Sequence, residues 1–334
     1  MEKEKIFKLP KLDFGNGLFA KNPSVQGGMA IKVSTAKLAA AVANCGGVGI
    51  IGASGLTEEE LRSQIRLARS LQKNHDGLIG VNIMFAAREF SMLARVSMEE
   101  GIDIIFFGAG FSRDIFEEGR KHHTPIVPIV SSPKLAALSQ KLGASAVVLE
   151  SRDAGGHLGT DKSLDELLPE VRKALDDSAP EGKHAIPLIA AGGIANGFDI
   201  AKFLKMGADG VQMGTRFLLS DECEASDKFK KMLVSAKESD IVKILSPVGL
   251  QARAIVSNFT KKLLENKAPK PQHCDRCLKH CSGSFCIMKA LNLSCSGDVE
   301  NGLFFTGKSL LNIHEILPVK EIFKRLEREI KANF

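Results

Sequence analysis

The chain of 334 residues contains no tryptophan and no tyrosine, so phenylalanine is its only large aromatic residue type. It also lacks any run of about eighteen uncharged apolar residues, so no segment predicts a membrane-spanning helix. Proteins that bind single-stranded nucleic acid usually combine basic residues with aromatic side chains that stack on the bases. Because these aromatics are missing and the net charge is only +6, we expect neither a nucleic acid nor a membrane as a partner.

A secretion signal is also missing from the sequence. Residues Met1–Lys5 mix acidic and basic side chains, and no apolar core follows them. We therefore expect a cytoplasmic protein, in which cysteines stay reduced. The length and the 44% content of hydrophobic residues are typical of a globular chain with a large core, formed by one barrel-sized domain or by two ordinary domains.

The cysteines are concentrated in one part of the chain, since five of the seven lie between residues 274 and 295. Spacings of two, three and four residues separate four of them, Cys274, Cys277, Cys281 and Cys286. In a reducing compartment, such a cluster favours a metal over disulfides. Four thiolates suit either a [4Fe–4S] cluster or Zn²⁺, and His273 or His280 could replace a cysteine on zinc. A reduced loop without a metal is the alternative.

Short apolar runs recur between residues 20 and 220, and eight of them predict buried strands. They are Pro23–Met29, Val48–Gly52, Leu78–Met84, Ile102–Phe107, Pro125–Val130, Ala146–Glu150, Ala185–Ala190 and Gly210–Met213. Most are separated by helical segments, and their continuous apolar character is typical of parallel strands that are covered on both faces. Eight such units favour an α/β fold of the TIM (β/α)8 barrel type. A doubly wound sheet is the alternative, but its Gly-x-Gly-x-x-Gly fingerprint is missing.

The barrel pattern ends near residue 220, so we divide the chain into three parts. Residues 1–220 are predicted to form the barrel, residues 221–300 an inserted helical and cysteine-rich subdomain, and residues 301–334 a return segment with a C-terminal helix. Within the insertion, a charged and solvated helix is predicted over residues 228–243. The final helix, over residues 318–331, carries an apolar stripe that we expect to pack on the barrel.

One predicted strand runs directly into a loop with two glycines and a histidine. Ala146–Glu150 is followed at a short distance by Gly155, Gly156 and His157. Glycines without a Cβ let a flat ligand approach the backbone closely. A histidine at the end of a barrel strand can meet a proton of the substrate. We therefore predict His157 as the catalytic residue, with a solvated histidine in a surface turn as the alternative.

Glycines also follow the last two predicted strands, where TIM barrels often bind phosphate. One loop contains Gly192 and Gly193, and the other contains Gly214 and Thr215. Both loops can offer backbone N–H groups, the threonine adds a hydroxyl, and the helix that begins near Asn196 adds its positive end. These features predict one phosphate-binding site. The alternative is that the glycines merely close tight turns.

Together, these motifs resemble those of the nitronate monooxygenases, formerly called 2-nitropropane dioxygenases, and of the related type II enoyl-acyl carrier protein reductases. The segments that carry the resemblance are Gln26–Met29, Gly80–Asn82, Glu150 with Ala154–Gly159, Ile189–Ile194 and Gly207–Phe217. The resemblance implies a TIM barrel that binds FMN non-covalently and has no disulfides, with His157 as the catalytic histidine. It also implies a cofactor site that consists of Gly27, Gly28, Met29, Asn82, Glu150, Gly155, Gly156, Gly192, Gly193, Gly214 and Thr215.

The resemblance further assigns parts of the cofactor to these residues. Gly27–Met29 would lie beside the isoalloxazine ring, Asn82 would bind the polar edge of the ring, and Glu150 would lie near the ribityl chain. Gly155 and Gly156 would pass over the cofactor, and the two later glycine loops would hold its phosphate. A loop near residue 250 is similar to a family segment near the substrate, so a substrate contact by Arg253 is a further hypothesis.

Two reactions fit this interpretation. The predicted function is oxidation of an alkyl nitronate with O₂, and the alternative is NAD(P)H-dependent reduction of an enoyl thioester. Because a one-electron carrier could exchange electrons with a flavin, we favour iron–sulfur over zinc at the cysteines, and this choice favours the reductase. The expected partners are a nitronate or an acyl thioester, and the expected assembly is a homodimer. A non-enzymatic electron-transfer or metal-binding module is the third alternative.

Overall fold

The computed structural model describes residues 9–334, so the segment Met1–Lys5, which is predicted not to be a signal peptide, lies outside the described residues. A short antiparallel hairpin of β1 (Leu12–Asp13) and β2 (Phe19–Ala20) comes first. Eight parallel strands then close into a barrel. They are β3 (Ser24–Gln26), β4 (Val48–Gly52), β5 (Leu78–Met84), β6 (Ile104–Gly108), β7 (Ile126–Val130), β8 (Val147–Glu150), β10 (Leu188–Ala191) and β11 (Gly210–Met213). The predicted TIM barrel and its eight strands are confirmed.

The closure of the barrel decides which loops become neighbours. Strand β11 pairs with β3, and β10 lies between β8 and β11. In the β8–β10 pair, Glu150 lies opposite Ala191, and in the β11–β3 pair, Met213 lies opposite Gln26. Because all these strands are parallel, their C-terminal ends meet at one end of the barrel. The loops that follow β8, β10, β11 and β3 are therefore adjacent there.

Alternation of side chains along the strands explains why the apolar runs are continuous. In β6, Ile104 and Phe106 belong to the core inside the barrel, whereas Ile105 and Phe107 pack in the layer between the barrel and its helices. All four side chains are almost fully buried. A strand that is covered on both faces needs no polar residues, so the barrel strands lack the alternation of a half-exposed sheet.

Helices connect the barrel strands and cover its outer surface. They are α1 (Ala36–Asn44), α2 (Glu58–Leu71), α3 (Phe90–Glu99), α4 (Asp114–Lys121), α5 (Pro133–Leu142), α6 (Leu164–Ser178), α7 (Gly197–Lys205) and the short α8 (Thr215–Leu218). Helix α2 begins with the capping box that its sequence predicts. The Glu60 amide donates to the Thr57 hydroxyl at 3.2 Å, and the Thr57 amide donates to the Glu60 carboxylate at 2.9 Å.

Replacing Thr57 with alanine should lower the free energy of unfolding by about 1 kcal/mol, because the first turn of α2 loses its side-chain acceptor. Urea unfolding followed by circular dichroism measures this difference. Thr57→Ser retains the hydroxyl and should keep the stability of the parent protein. An alanine variant that unfolds at the parent's urea concentration would contradict this role of the cap.

The insertion differs from its prediction. It contains α9 (Asp227–Val234), a 3-10 turn (Glu238–Asp240), β12 (Ile241–Leu245), β13 (Gln251–Ile255), α10 (Asn258–Leu264) and α11 (Ile287–Ser296). The predicted helix over residues 228–243 is therefore wrong beyond Val234, because the β-branched Ile241, Val242 and Ile244 form a strand instead. The prediction that the charged residues of this segment are exposed to solvent is wrong for Lys230. This residue is only 4% exposed and donates to the carbonyl of Ser220 at 2.7 Å.

The return segment ends in a 3-10 turn (Lys308–Asn312) and in helix α12 (Val319–Lys331). The apolar stripe of α12 is buried against the outside of the barrel, where the helix contacts α1 and α7. The predicted packing of this stripe is confirmed by its four side chains, Ile322, Phe323, Leu326 and Ile330. Among residues 9–334, no helix is both long enough and apolar enough to cross a membrane.

Candidate functional site

A large cavity lies at the end of the barrel where the loops after β3, β8, β10 and β11 meet. It encloses about 1620 Å³ including its open mouth. The structure brings together all the predicted catalytic and cofactor-binding residues in its walls: Gly27, Gly28, Met29, Asn82, Glu150, Gly155, Gly156, His157, Gly192, Gly193, Gly214 and Thr215.

The loop after β3 approaches β5 so closely that only glycine fits. A Cβ on Gly28 would lie 2.2 Å from the Cβ of Asn82. The neighbouring amides are held by protein acceptors, since Gly27 donates to the carbonyl of Met213 and Met29 donates to the hydroxyl of Ser34. This wall of the cavity therefore consists of the backbone of Gly27 and Gly28 beside the side-chain amide of Asn82. Such a surface is suited to a flat polar ring.

The loops after β10 and β11 offer donors that have no protein partner. Gly192 and Gly193 have φ values of +103° and +83°, in the left-handed region that favours glycine. Within residues 9–334, the amides of Gly193 and Ile194 donate to no acceptor. The Thr215 hydroxyl accepts a hydrogen bond from the Gly307 amide at 3.0 Å, so its own proton is free for a ligand. These donors fit the phosphate group of FMN.

Several amides at the start of helix α7, which the sequence predicts to add its positive end to the phosphate site, already have protein acceptors. Three such amides donate to protein side chains. The Ala195 amide donates to Asp199, the Gly197 amide donates to Glu329, and the Asp199 amide donates to the side chain of Asn196, all within 2.9 Å. The contribution of this helix end to the phosphate site stays a prediction, and the free amides of Gly193 and Ile194 lie in the preceding loop.

His157 is held by residues of the insertion rather than by the barrel alone. It lies in β9 (Gly156–His157), which pairs antiparallel with β13 so that His157 is opposite Ala252. Its Nε2 lies 2.8 Å from the Oγ of Ser246, and its ring meets Phe305 edge-on with 5.6 Å between ring centroids. Burial lowers the pKa of His157 to about 4. The imidazole is therefore neutral at pH 7.

Glu150, at the end of β8, is an acid that keeps its proton. Burial raises the pKa of its carboxyl to about 8. Within the described chain, the side chain has no hydrogen-bond partner, although it lines the cavity. A neutral carboxyl can both donate and accept a hydrogen bond, so Glu150 fits a hydroxyl-bearing group such as a ribityl chain.

The walls of the cavity contain no positively charged side chain among the described residues. The ionisable side chains that line it are Glu150, Asp153 and His157. Lys308 approaches the carboxylate of Asp153 at 3.6 Å. Arg253 is 3% exposed and donates to the carbonyl of Ala154 at 2.6 Å, so it is bonded to the loop behind the cavity and does not line it. A bound anion would therefore meet no side-chain cation in these walls.

Apolar side chains of the insertion close the cavity, and local sequence patterns do not identify them. They are Leu278, Ile287, Met288, Leu291 and, in the return segment, Leu303 and Phe305. Leu278 is fixed by a β-bridge to Ala87, and the next amide, of Lys279, donates to the carbonyl of Ala86 at 2.9 Å. The insertion therefore closes one side of the cavity, although its cysteines are its most visible sequence feature.

The structure does not assemble the four cysteines into a metal centre. Within residues 9–334, no three side chains of His, Cys, Asp or Glu lie close enough together to hold a metal ion. Cys274 and Cys281 are exposed, and burial together with neighbouring thiols raises the pKa of Cys277 to about 11. In this structure, the four thiols are therefore not arranged as a metal site. The metal stays a prediction, to be tested by iron and zinc analysis of the purified protein.

Comparisons with known proteins agree with this geometry. A family model described as nitronate monooxygenase matches residues 15–329. A relative from Mycobacterium tuberculosis, (3aS,4S,5R,7aS)-5-hydroxy-7a-methyl-1-oxo-octahydro-1H-indene-4-carboxyl-CoA dehydrogenase, is 31% identical over 73% of this chain, which spans 65% of that protein. FabK from Thermotoga maritima has a TM-score of 0.82 at 32% identity, covering 94% of each chain. The nitroalkane oxidase of Streptomyces ansochromogenes has a TM-score of 0.76 at 25% identity, covering 93% of this chain and 96% of that one.

Proposed function

This chain belongs to the nitronate monooxygenase family and is a flavin-dependent oxidoreductase, and we propose that its flavin is FMN with His157 beside the substrate. The free amides of Gly193 and Ile194 and the hydroxyl of Thr215 would hold the phosphate. Bound FMN supplies the ability to take up and release two electrons as a hydride. The protein residues position the substrate, exclude water and hold protons around it.

The charges of the cavity bear on which substrate the enzyme uses. A nitronate is an anion, and burying an anion without a positive partner is costly. The cavity walls carry no lysine or arginine among the described residues, and the His157 imidazole is neutral at pH 7. An enoyl thioester is uncharged at its reacting atoms, and its acyl chain suits the apolar side chains of Leu278 and Met288. This lack of positive charge favours the thioester, which reverses the order that the sequence alone favours.

We therefore propose NAD(P)H-dependent reduction of an enoyl thioester as the reaction. The relatives support this class of substrate. FabK is an enoyl-acyl carrier protein reductase, and the mycobacterial relative is named as a dehydrogenase of a CoA thioester. Each is slightly more than 30% identical to this chain. In this reaction, a donor near the thioester carbonyl would stabilise the negative charge that develops on its oxygen. We propose that His157, which lines the cavity, is this donor.

Oxidation of an alkyl nitronate is the second candidate. The description of the matching family model and the nitroalkane oxidase structure at 25% identity support it. In that reaction, the nitronate would deliver electrons to the oxidised flavin, and no pyridine nucleotide would be required. The two candidates therefore differ in which compound reduces the flavin.

Flavin absorbance under anaerobic conditions distinguishes the two reactions. We expect NADH or NADPH to bleach the FMN of the purified holoenzyme, and an enoyl thioester such as crotonyl-CoA to restore its colour. The saturated butanoyl-CoA is the matched control and should leave the flavin reduced. Bleaching by propyl 2-nitronate, together with no response to NADH, NADPH and crotonyl-CoA, would overturn the reductase proposal in favour of nitronate oxidation.

A further inference from the structure

The imidazole of His157 is bonded on one side only. Its Nε2 lies 2.8 Å from the Oγ of Ser246, which is 1% exposed and is not part of the cavity wall. Its Nδ1 has no partner among residues 9–334, while the ring itself lines the cavity. The nitrogen left for a substrate is therefore Nδ1, and whether it carries a proton decides what the histidine can do.

The hydrogen bonds of the Ser246 hydroxyl determine which nitrogen of the His157 imidazole carries the proton. The amide of Val248 donates to the Ser246 Oγ at 3.3 Å, so the oxygen acts as an acceptor there. Within the described chain, the only acceptor for the buried hydroxyl proton of Ser246 is Nε2 of His157. If Nε2 carried the proton instead, the hydroxyl would be a buried donor with no acceptor, which is destabilising. The consistent arrangement is Ser246 O–H donating to an unprotonated Nε2.

We propose that Ser246 is a positioning residue that fixes His157 in the tautomer with its proton on Nδ1, so that the ring presents an N–H donor to the substrate. The proposal rests on the proposed function in one respect, because it takes His157 to face the substrate. In this tautomer, Nδ1 has no lone pair, and His157 cannot act as a general base at that atom. It acts as a neutral hydrogen-bond donor to a thioester oxygen.

The backbone around Ser246 is suited to this task. The Ser246 amide donates to the carbonyl of Leu250 at 2.9 Å, and the Gly249 amide donates back to the carbonyl of Ser246 at 2.9 Å. This tight turn joins β12 to β13, and β13 pairs directly with the strand that carries His157. The hydroxyl therefore lies in a hydrogen-bonded turn between two strands of the three-stranded sheet, and the imidazole lies on its third strand.

Nitrogen NMR of the FMN-loaded protein with ¹⁵N-labelled histidine tests the tautomer directly. We expect a protonated Nδ1 and an unprotonated Nε2 for His157 at pH 7, with its signals assigned by their loss in His157→Gln. Ser246→Ala should remove the preference for this tautomer, and Ser246→Thr should keep it. A parent protein with the proton on Nε2 would overturn the proposal, and the spectrum of the parent alone gives this answer even if the alanine variant fails to fold.

Kinetics provide the second measurement. With crotonyl-CoA as substrate, Ser246→Ala should lower kcat by roughly tenfold at unchanged FMN content, because one buried hydrogen bond no longer selects the tautomer. Ser246→Thr should restore most of the turnover. An alanine variant with the kcat of the parent would contradict the positioning role. Because the NMR experiment needs no substrate, it separates this proposal from the proposed function, which fails if crotonyl-CoA does not reoxidise the flavin.

Discussion

Replacing His157 with alanine should lower turnover by roughly 100-fold or more while FMN stays bound. Removing one preorganised donor to a developing oxyanion typically has an effect of about 100-fold to 1000-fold. No lysine or arginine among the described residues lines the cavity, so no cationic side chain can replace the lost N–H. The measurement is kcat per bound flavin, with the FMN content determined from its absorbance.

Two variants make this result specific to the ring of His157. His184→Ala removes an exposed histidine from a loop outside the cavity and should keep the turnover of the parent. His157→Gln retains an N–H donor of similar reach and should keep more activity than the alanine variant. Unchanged turnover in His157→Ala, with its full flavin content, would exclude His157 from the mechanism.

The barrel and its cavity could be predicted because their signals are local in the sequence. Most strands are continuous apolar runs, and Gly27, Gly192 and Gly214 directly follow strand ends. Gly28 illustrates why such a signal is informative. A Cβ on it would overlap with the side chain of Asn82, and both residues lie near the C-terminal ends of predicted strands. Barrel closure then brings these loops together without any further information from the sequence.

The partners of His157 could not be predicted because they come from distant parts of the chain. Ser246 is 89 residues away from His157, and the bond between them depends on the pairing of β13 with β9. The same applies to Leu278 and Met288, which reach the cavity through the docking of the insertion. Nothing in the spacing of these residues indicates contact.

The error in the helix predicted over residues 228–243, which ends at Val234 in the structure, has a different cause. The many charged residues of this segment are typical of a solvated helix, so its composition does not indicate the buried lysine or the strand that the structure contains. The ammonium group of Lys230 can be buried because it donates a hydrogen bond to the carbonyl of Ser220. The segment Ile241–Leu245 contains β-branched residues, which favour a strand. The spacing of the four cysteines predicts a metal that stays untested, and among the described residues no three potential ligands lie close enough together to hold one.

Replacing Gly192 with alanine should weaken FMN binding by roughly tenfold to 100-fold. Gly192 has a φ of +103°, which costs any other residue about 1–2 kcal/mol. A Cβ there would also lie 2.6 Å from the Oγ of Ser151 and 2.9 Å from the amide nitrogen of Ala154. The loops after β8 and β10 would have to separate, and the same two loops carry Gly193 and Gly155, so the phosphate donors would move away from the ring site.

A substitution at a second glycine of similar φ separates two effects of Gly192→Ala, the backbone strain and the disturbance of the cofactor site. Gly207 has a φ of +100° and lies outside the cavity, and a Cβ on it would lie 3.6 Å from the side chain of Arg172, which is an ordinary contact distance. Gly207→Ala should therefore lower the free energy of unfolding by about 1–2 kcal/mol and leave the Kd for FMN unchanged. Titration of both apoproteins with FMN, followed by flavin fluorescence, gives the two Kd values. Equal affinities would mean that the loop after β10 does not hold the phosphate, and the assignment of Gly193 and Ile194 as its donors would be wrong.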